Sequence, residues 1–410
     1  MKIGILVLSL VLAFGIGQAQ DLTLVSWNIL NFPGSTGTER EDDFQLVLQN
    51  AGPDILVVQE MIGQAGVNQF LNNILDEIEP GAWNAGPYHD SYDTDRALFY
   101  RDGTVEVLDY GWIDTALRDI EWWLLRPVGS SDEFRIYTCH LKASSGSDNE
   151  QKRLLETQHL RNDLDTLDAD LPFILCGDLN IYYGDEPAYQ ELIGSGPGQL
   201  HDPINQTGYW HNNASYASIH TQSTRTASFG GGATGGMDDR FDQILVSEEM
   251  LDATGIDVLP ATYLAYGNDG AHFNQSIIEG GNSAVPYAVA EAIHNSSDHL
   301  PIIVQIHVDD ATAVAEGAPA SLRLEARPNP FNPTTTLTFT LAQEGPITLS
   351  LYDPAGRLLT TLASGHHSAG AIERRWDGKD DSGRPLPSGV YFALLDTEGE
   401  RLSRKIVLIR

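Results

Sequence analysis

Read by its hydrophobic and polar positions, the chain falls into two regions. In the first, short apolar runs alternate with stretches of helical period. Residues 22–28 and 54–60 read as strands, the second a buried apolar run that ends on a carboxylate. Phe44, Val47 and Leu48 recur at the spacing of one helix face. So do Val67, Phe70, Leu71 and Ile74, and later Leu160, Leu164 and Leu167. Further strands are read at 97–101, 104–109, 121–126, 134–140, 172–177, 241–246 and 301–308. Strands interleaved with helices predict sheets covered by helices, a layered α/β domain. The second region carries six short β-type runs, 334–340, 347–352, 357–362, 371–376, 390–395 and 403–409, separated by turn signals such as Asp381-Ser382-Gly383. That spacing predicts a small all-β sandwich. The small, polar, aperiodic stretch 309–321 reads as the linker between them.

Residues 1–19 read as a secretory signal. Lys2 supplies the positive start, 3–16 the apolar core, and Gly17-Gln18-Ala19 the small residues of a cleavage site. A membrane anchor is the alternative, but the run is short and no basic flank follows. The mature chain is expected to be exported, with no transmembrane segment, and monomeric. The 410 residues exceed the size of one usual core, which fits two domains.

Charge narrows the function. Lys and Arg number 24 against 57 Asp and Glu, a net charge of −33. From 322 to 410 there are 11 basic and 10 acidic residues, so the first region holds the whole acidic excess. A passive nucleic-acid-coating protein, which needs a basic stripe, is excluded. An enzyme that reaches phosphate through a cation is not, because the ion inverts the local charge logic. Cys139 and Cys176 are the only cysteines, too few for a disulfide framework. They read as two buried thiols, or as a pair on neighbouring strands, where geometry seldom suits a disulfide.

Chemistry-bearing residues collect at strand ends: Trp27-Asn28, Gln59-Glu60, His140-Leu141-Lys142, Gly177-Asp178-Leu179-Asn180, Arg240-Phe241-Asp242 and Ser297-Asp298-His299. Each alone reads as a cap or a surface group; six of them can converge along one edge of a scaffold. In this order they resemble the endonuclease/exonuclease/phosphatase superfamily, with its DNase I-like fold, across residues 21–308. The resemblance implies a four-layered α/β sandwich that hydrolyses phosphoesters with a divalent metal, Mg²⁺ in the first place and Mn²⁺ or Ca²⁺ as alternatives.

Carried over residue by residue, the resemblance makes Glu60 the principal metal ligand, helped by Asn28 and Asp298. Oxygen donors suit a hard cation. It makes His299 the general base or the stabilising imidazole, oriented by Asp242. Asp178 and Asn180 position water and phosphate, and His140 contacts phosphate or protonates the leaving oxygen. Arg118 lies where relatives place a phosphate-binding arginine; a surface ion pair with Asp119 or Glu121 is the alternative. Arg96 stands near a substrate-contact position, or is a solvated loop residue. Residues 221–225 either line the site or do not reach it.

Other features read as structural. Trp122 and Trp123 share one strand and face opposite ways, so at least one belongs to the core. Asn268-Asp269-Gly270 and His272 read as a turn, with a second cation site as the alternative. Asn295-Ser296-Ser297 fits a glycosylation sequon. The segment 266–295 has no mechanistic reading.

In the second region, Pro328-Asn329-Pro330-Phe331-Asn332-Pro333, Leu351-Tyr352-Asp353-Pro354, Trp376-Asp377-Gly378-Lys379 and the basic-apolar end 405–410 resemble a C-terminal type IX secretion sorting domain. That domain is related to the Ig-like domain of flagellar hook-capping proteins. An ordinary Ig-like binding module is the alternative. The sorting resemblance implies passage through the type IX machinery to the medium or the outer-membrane surface.

Together these readings predict a secreted, metal-dependent nuclease acting on DNA or RNA. A phospholipid phosphodiesterase of the sphingomyelinase kind, or a phosphomonoesterase, keeps the same chemistry on another substrate. A catalytically dead adhesin would have decayed site positions, and none has decayed.

Overall fold

The computed structural model describes residues 20–228, 231–309, 324–327, 331–341, 344–353, 357–397 and 401–408. The predicted signal at 1–19 lies outside them, as do the linker positions beyond 309. The chain divides into two units between Ala313 and Val314.

The first unit holds eleven described strands: β1 Gln20–Phe32, β2 Ile55–Met61, β3 Trp83–Ala85, β4 Asp95–Arg101, β5 Val105–Ile113, β6 Ile120–Pro127, β7 Phe134–His140, β8 Phe173–Asp178, β9 Asp242–Val246, β10 Ile256–Ala265 and β11 Ile302–Val308. They form a six-stranded sheet, β10-β11-β1-β2-β4-β3, and a five-stranded sheet, β5-β6-β7-β8-β9. Helices α1 Gly37–Ala51, α2 Gly63–Phe70, α3 Ser147–Leu164, α4 Pro187–Ile193 and α5 Tyr287–Ser296 complete it. A π turn, Leu71–Leu75, prolongs α2.

Side-chain alternation builds four layers, as expected. On β8, Ile174 and Cys176 join the central core with β1 and β2, whereas Phe173 and Leu175 join Leu160, Leu164, Tyr189 and Leu192 of α3 and α4. Trp27 of β1 packs edge-on against Phe44 of α1, and Phe44 against Phe70 of α2. Burying each such side chain contributes about 1.5–3 kcal/mol. Trp123 is buried in the core while Trp122 lies half-buried under the Arg135 guanidinium, so the two do face opposite ways.

Cys139 and Cys176 are both buried and free. Cys139 packs on the α3 side of its sheet and Cys176 on the inter-sheet side, which explains why neighbouring strands do not bridge them.

The unread segment 266–295 runs as a loop into α5. Strand β10 was hidden by Pro260; it is an edge strand, where a missing N–H is tolerated, and its register shifts between Leu259 and Leu264.

The second unit is all-β. Strands β12 Leu324–Arg327, β13 Thr335–Leu341 and β16 Gly370–Trp376 form one sheet. Strands β14 Gly345–Tyr352, β15 Leu358–His367, β17 Gly389–Thr397 and β18 Arg401–Leu408 form the other. Six of the seven match the six predicted runs; β12 was not read. Phe339, Leu349, Leu351, Trp376, Ala393 and Ile406 share its core.

Candidate active site

The site grows out of the core's own alternation. Ser26, Thr138 and Cys176 point between the sheets, so Asn28, His140 and Asp178, two residues further along β1, β7 and β8, point the same way at the strand ends. Gln59 spans the gap: its amide donates to Ser26 Oγ (3.2 Å) and to Thr138 Oγ1 (3.0 Å). Asp242 opens β9, and Asp298-His299 precede β11. Both strands run antiparallel to their neighbours β8 and β1, so their starts reach the edge where those neighbours end.

Glu60 breaks the alternation. As the neighbour of inward-facing Gln59 it should point out towards the helices. A left-handed backbone, φ 64°, turns it back, and the ladder to β4 slips between Gln59 and Met61. Its carboxylate accepts hydrogen bonds from Asn28 Nδ2 (3.0 Å) and Asn31 N (2.9 Å). Such a conformation in a non-glycine residue costs on the order of 1–3 kcal/mol and collects at functional sites.

Asn28 Nδ2 also donates to Asp178 Oδ2 (3.1 Å), so one amide bridges the two carboxylates. Asp178 Oδ1 accepts from Asn180 N (3.0 Å), and Asn180 Nδ2 donates to the Leu141 carbonyl (3.2 Å). His140 Nε2 lies 3.5 Å from Asp178 Oδ2, and its Nδ1 lies 3.8 Å from Glu60 Oε1. His299 Nδ1 meets Asp242 Oδ2 at 2.7 Å, and its Nε2 faces Asp178 Oδ2 at 3.7 Å. The structure thus brings together Asn28, Glu60, His140, Asp178, Asn180, Asp242, Asp298 and His299.

Electrostatics separates the two histidines. Burial and the Arg118 guanidinium hold His140 well below the usual histidine range. Burial would lower His299 as well, but the Asp242, Asp298 and Asp178 carboxylates outweigh it and hold the ring well above that range. Burial raises Glu60, and Asp298 adds to the rise; burial likewise raises Asp178, with Asp242 and Glu60 adding to it. Carboxylates crowded in this way repel one another until a cation joins them. Asp298 Oδ1 is buried with no hydrogen-bond partner among the described residues, while its Oδ2 accepts from Ala233 N (2.5 Å). Glu60 and Asp298 offer the oxygen donors that a hard divalent ion takes, while Asn28 turns its Nδ2 to Glu60 and holds its Oδ1 against Leu30 N (3.1 Å). Asp242 and His299 are also close enough to Asp178 to share an ion. Their mutual hydrogen bond instead commits them to each other.

Gln222 is the member of 221–225 that reaches the site. Its Nε2 lies 2.5 Å from His299 Nε2 and 3.4 Å from Asp298 Oδ2. The glycine-rich turn after it closes on Asp298: a Cβ on Gly232, φ 81°, would come within 2.8 Å of the Asp298 carboxylate. Sequence reasoning missed the group His211, Asp238 and Asp239, where His211 Nδ1 lies 2.6 Å from Asp239 Oδ1. No spacing signal joins 211 to 238.

Two expectations change. Arg96 is neither solvated nor poised to meet phosphate. It is fully buried on β4 and reaches across the sheets to Glu121 of β6 (3.2 Å), because Gln59↔Arg96 and Glu121↔Thr138 register both side chains inward. Arg118 does form an ion pair, but with Asp93 (2.9 Å) rather than Asp119 or Glu121. Its Nη1 also lies 3.4 Å from the His140 and Leu141 carbonyls, at the rim of the site. Asp269 caps a turn, accepting from Ala271 N and Ser283 N and pairing with His272 at 2.8 Å, as the turn reading expects.

The profile of the Endonuclease/Exonuclease/phosphatase family matches residues 25–299, and that of the FlgD Ig-like domain matches 329–395. Among solved structures, an endonuclease/exonuclease/phosphatase family protein from Bacteroides thetaiotaomicron is similar at 21% identity and TM-score 0.46, over 71% of this chain and 99% of that one. TDP2 of D. rerio, complexed with single-strand DNA product, is similar at 16% identity and TM-score 0.48, over 70% and 98%. A mannosyl-6-phosphatase of B. thetaiotaomicron VPI-5482 is similar at 20% identity and TM-score 0.44, over 70% and 99%. No curated protein matches.

Proposed function

The chain belongs to the Endonuclease/Exonuclease/phosphatase family, and from that premise we propose that it hydrolyses phosphodiesters with a divalent cation, nucleic acid being its first substrate class. The observation that carries the reading is the Asp242–His299 pair facing the Asn28, Glu60 and Asp178 cluster across the seam between the sheets.

When bound, a divalent cation held by Glu60 and Asp298, and by Asn28 with its amide turned over, would offset charge on the phosphoryl oxygens. The chain's own groups do the rest. Asp242 accepts from His299 Nδ1–H, which fixes the tautomer and leaves Nε2 to handle a proton inside the site. Asp178, held by Asn28 and Asn180, orients the attacking water from beside Nε2. His140, whose Nε2 faces the same Asp178 oxygen as His299 does, presents a neutral ring to the leaving oxygen. Arg118 supplies a cation at the rim on the His140 side.

A small phosphoester is the second reading. It is favoured by the carboxylates beside the site, Asp93 on Arg118 and Asp239 next to Gln222, where a polynucleotide would meet repulsion. The test is hydrolysis of plasmid DNA, RNA, sphingomyelin and bis(p-nitrophenyl) phosphate with Mg²⁺ or EDTA, beside Glu60→Gln. We expect nucleic-acid cleavage that EDTA abolishes, and a variant with weakened Mg²⁺ binding by calorimetry and little activity. A fully active Glu60→Gln enzyme would refute the ligand assignment.

The second unit is read as the address. The FlgD Ig-like match and the sequence resemblance support sorting by the type IX machinery to the medium or the cell surface, after removal of the signal at 1–19. Among the described residues no helix is long and apolar enough to cross a membrane.

A further inference from the structure

We propose that Trp112 and Tyr110, backed by His89, form a stacking platform for the bases of a single-stranded nucleic acid whose scissile phosphate lies at His140 and Arg118. The inference rests on the nuclease reading and adds to it the strandedness of the substrate.

The platform stands on β5, the edge strand of the five-stranded sheet. The β5–β6 ladder shifts register between Val107 and Asp109. That bulge moves the inward face from odd to even residues, so Tyr110 and Trp112 sit on the same face as their partners Trp123 and Glu121. Further along the sheet that face is the buried core. On β5 it is open: Tyr110 is 40% exposed and Trp112 43%.

The Trp112 ring is fixed in advance, with Tyr110 tilted beside it at 6.3 Å. His89 stacks on Trp112 at 3.9 Å between ring centres and 10° between planes, and its Nε2 lies 3.0 Å from Asp119 Oδ2. Trp112 Nε1 donates to Asp114 Oδ1 (3.2 Å). Rings that are already held lose little freedom on binding.

The platform is continuous with the site. The loop after β5 carries Arg118, whose guanidinium touches the carbonyls of His140 and Leu141. Two strand spacings, about 10 Å, separate β5 from β7. That equals about three stacked-base rises of 3.4 Å, and fewer nucleotides in an extended strand.

Charge selects the strandedness. Duplex binding is driven by phosphate neutralisation. Here the surrounding charges are Asp90, Asp93, Asp109, Asp114 and Asp119, and Arg118 is already paired with Asp93. Stacking on aromatic rings makes no demand for cations and tolerates any base, but only a single strand has base faces to offer.

The experiment measures kcat/KM of the full chain for an oligothymidylate, for the same strand in duplex, and for bis(p-nitrophenyl) phosphate. Trp112→Ala, Tyr110→Ala and Trp112→Phe are assayed alongside. We expect the single strand to be preferred. The ratio of oligonucleotide to bis-ester kcat/KM should fall about 5- to 150-fold in Trp112→Ala, the range that follows from losing one base–aromatic stack, through KM. It should fall less in Tyr110→Ala and recover in Trp112→Phe. The bis-ester also reports folding of each variant. An unchanged ratio in both alanine variants, or a preference for duplex, overturns the platform and leaves the nuclease reading standing. Cleavage of the bis-ester with no cleavage of any nucleic acid by the parent overturns both.

Discussion

Asp242→Asn is the sharpest probe of the catalytic geometry. The substitution keeps shape and volume and removes one charge. Asp242 is 1% exposed, and its Oδ2 sits 2.7 Å from His299 Nδ1. The parent carboxylate only accepts, so Nδ1 keeps its proton and the ring gives and takes its second proton at Nε2. An asparagine can present its NH₂ group instead, which lets the ring adopt the other tautomer with its proton on Nε2, where it cannot accept. Removing a well-placed general base costs about 10²–10⁴ in rate, equivalent to about 3–5 kcal/mol of barrier. The folding cost is smaller. One charge-assisted hydrogen bond of about 1.5–3 kcal/mol is weakened, and repulsion between Asp242 and Asp178 is relieved. At roughly 2–4 °C per kcal/mol for a domain of this size, Tm should fall by less than about 10 °C. The assay is kcat and KM for bis(p-nitrophenyl) phosphate at saturating Mg²⁺, with a melting curve on the same sample. A folded Asp242→Asn enzyme with kcat within tenfold of the parent would refute the role given to the pair.

Two further outcomes follow. Burial pushes the Glu121 carboxyl up to about 8, against the opposing pull of Arg96. A carboxyl raised on folding holds its proton better in the native state, so its contribution is present below its unfolded value and lost as pH rises through about 8. Melting of the parent should therefore fall between pH 5 and 8 more steeply than melting of Glu121→Gln, and parallel curves would contradict this. Deleting 322–410 should leave Mg²⁺-dependent hydrolysis intact but retain the protein within the cell envelope; normal export of the truncated chain would defeat the sorting proposal.

Much of this was legible in the sequence, for physical reasons that differ by element. Apolar runs such as 55–58 and 173–176 are buried on both faces, and such runs mark themselves. The second unit's strands alternate and end in turn signals, so six of its seven described strands could be read. Strand β10 was concealed by Pro260, and α5 by a long loop before it. Within the site, residue types at strand ends identified the members but not their directions. Glu60 faces the core through a left-handed backbone that no glycine or asparagine announces. Arg96 looked like a loop arginine because the sequence does not say which strand lies across the gap; only the facing Glu121 makes it a buried pair. Gln222 belongs to a segment without periodicity, brought to His299 by pairing with Asp239 and His299 as isolated bridges.

The order of strands in the six-stranded sheet also bears on synthesis. Strand β11 lies between β10 and β1, with Val308 beside Gln20. The last strand of the first unit to leave the ribosome therefore fills the slot next to that unit's first strand. Asp298 and His299 arrive with it, long after Asn28 and Glu60 have been made. No nascent chain shorter than this has a place for the imidazole, and none can hydrolyse its substrate. A hydrolase assembled in this order stays silent until the whole first unit has been released and closed.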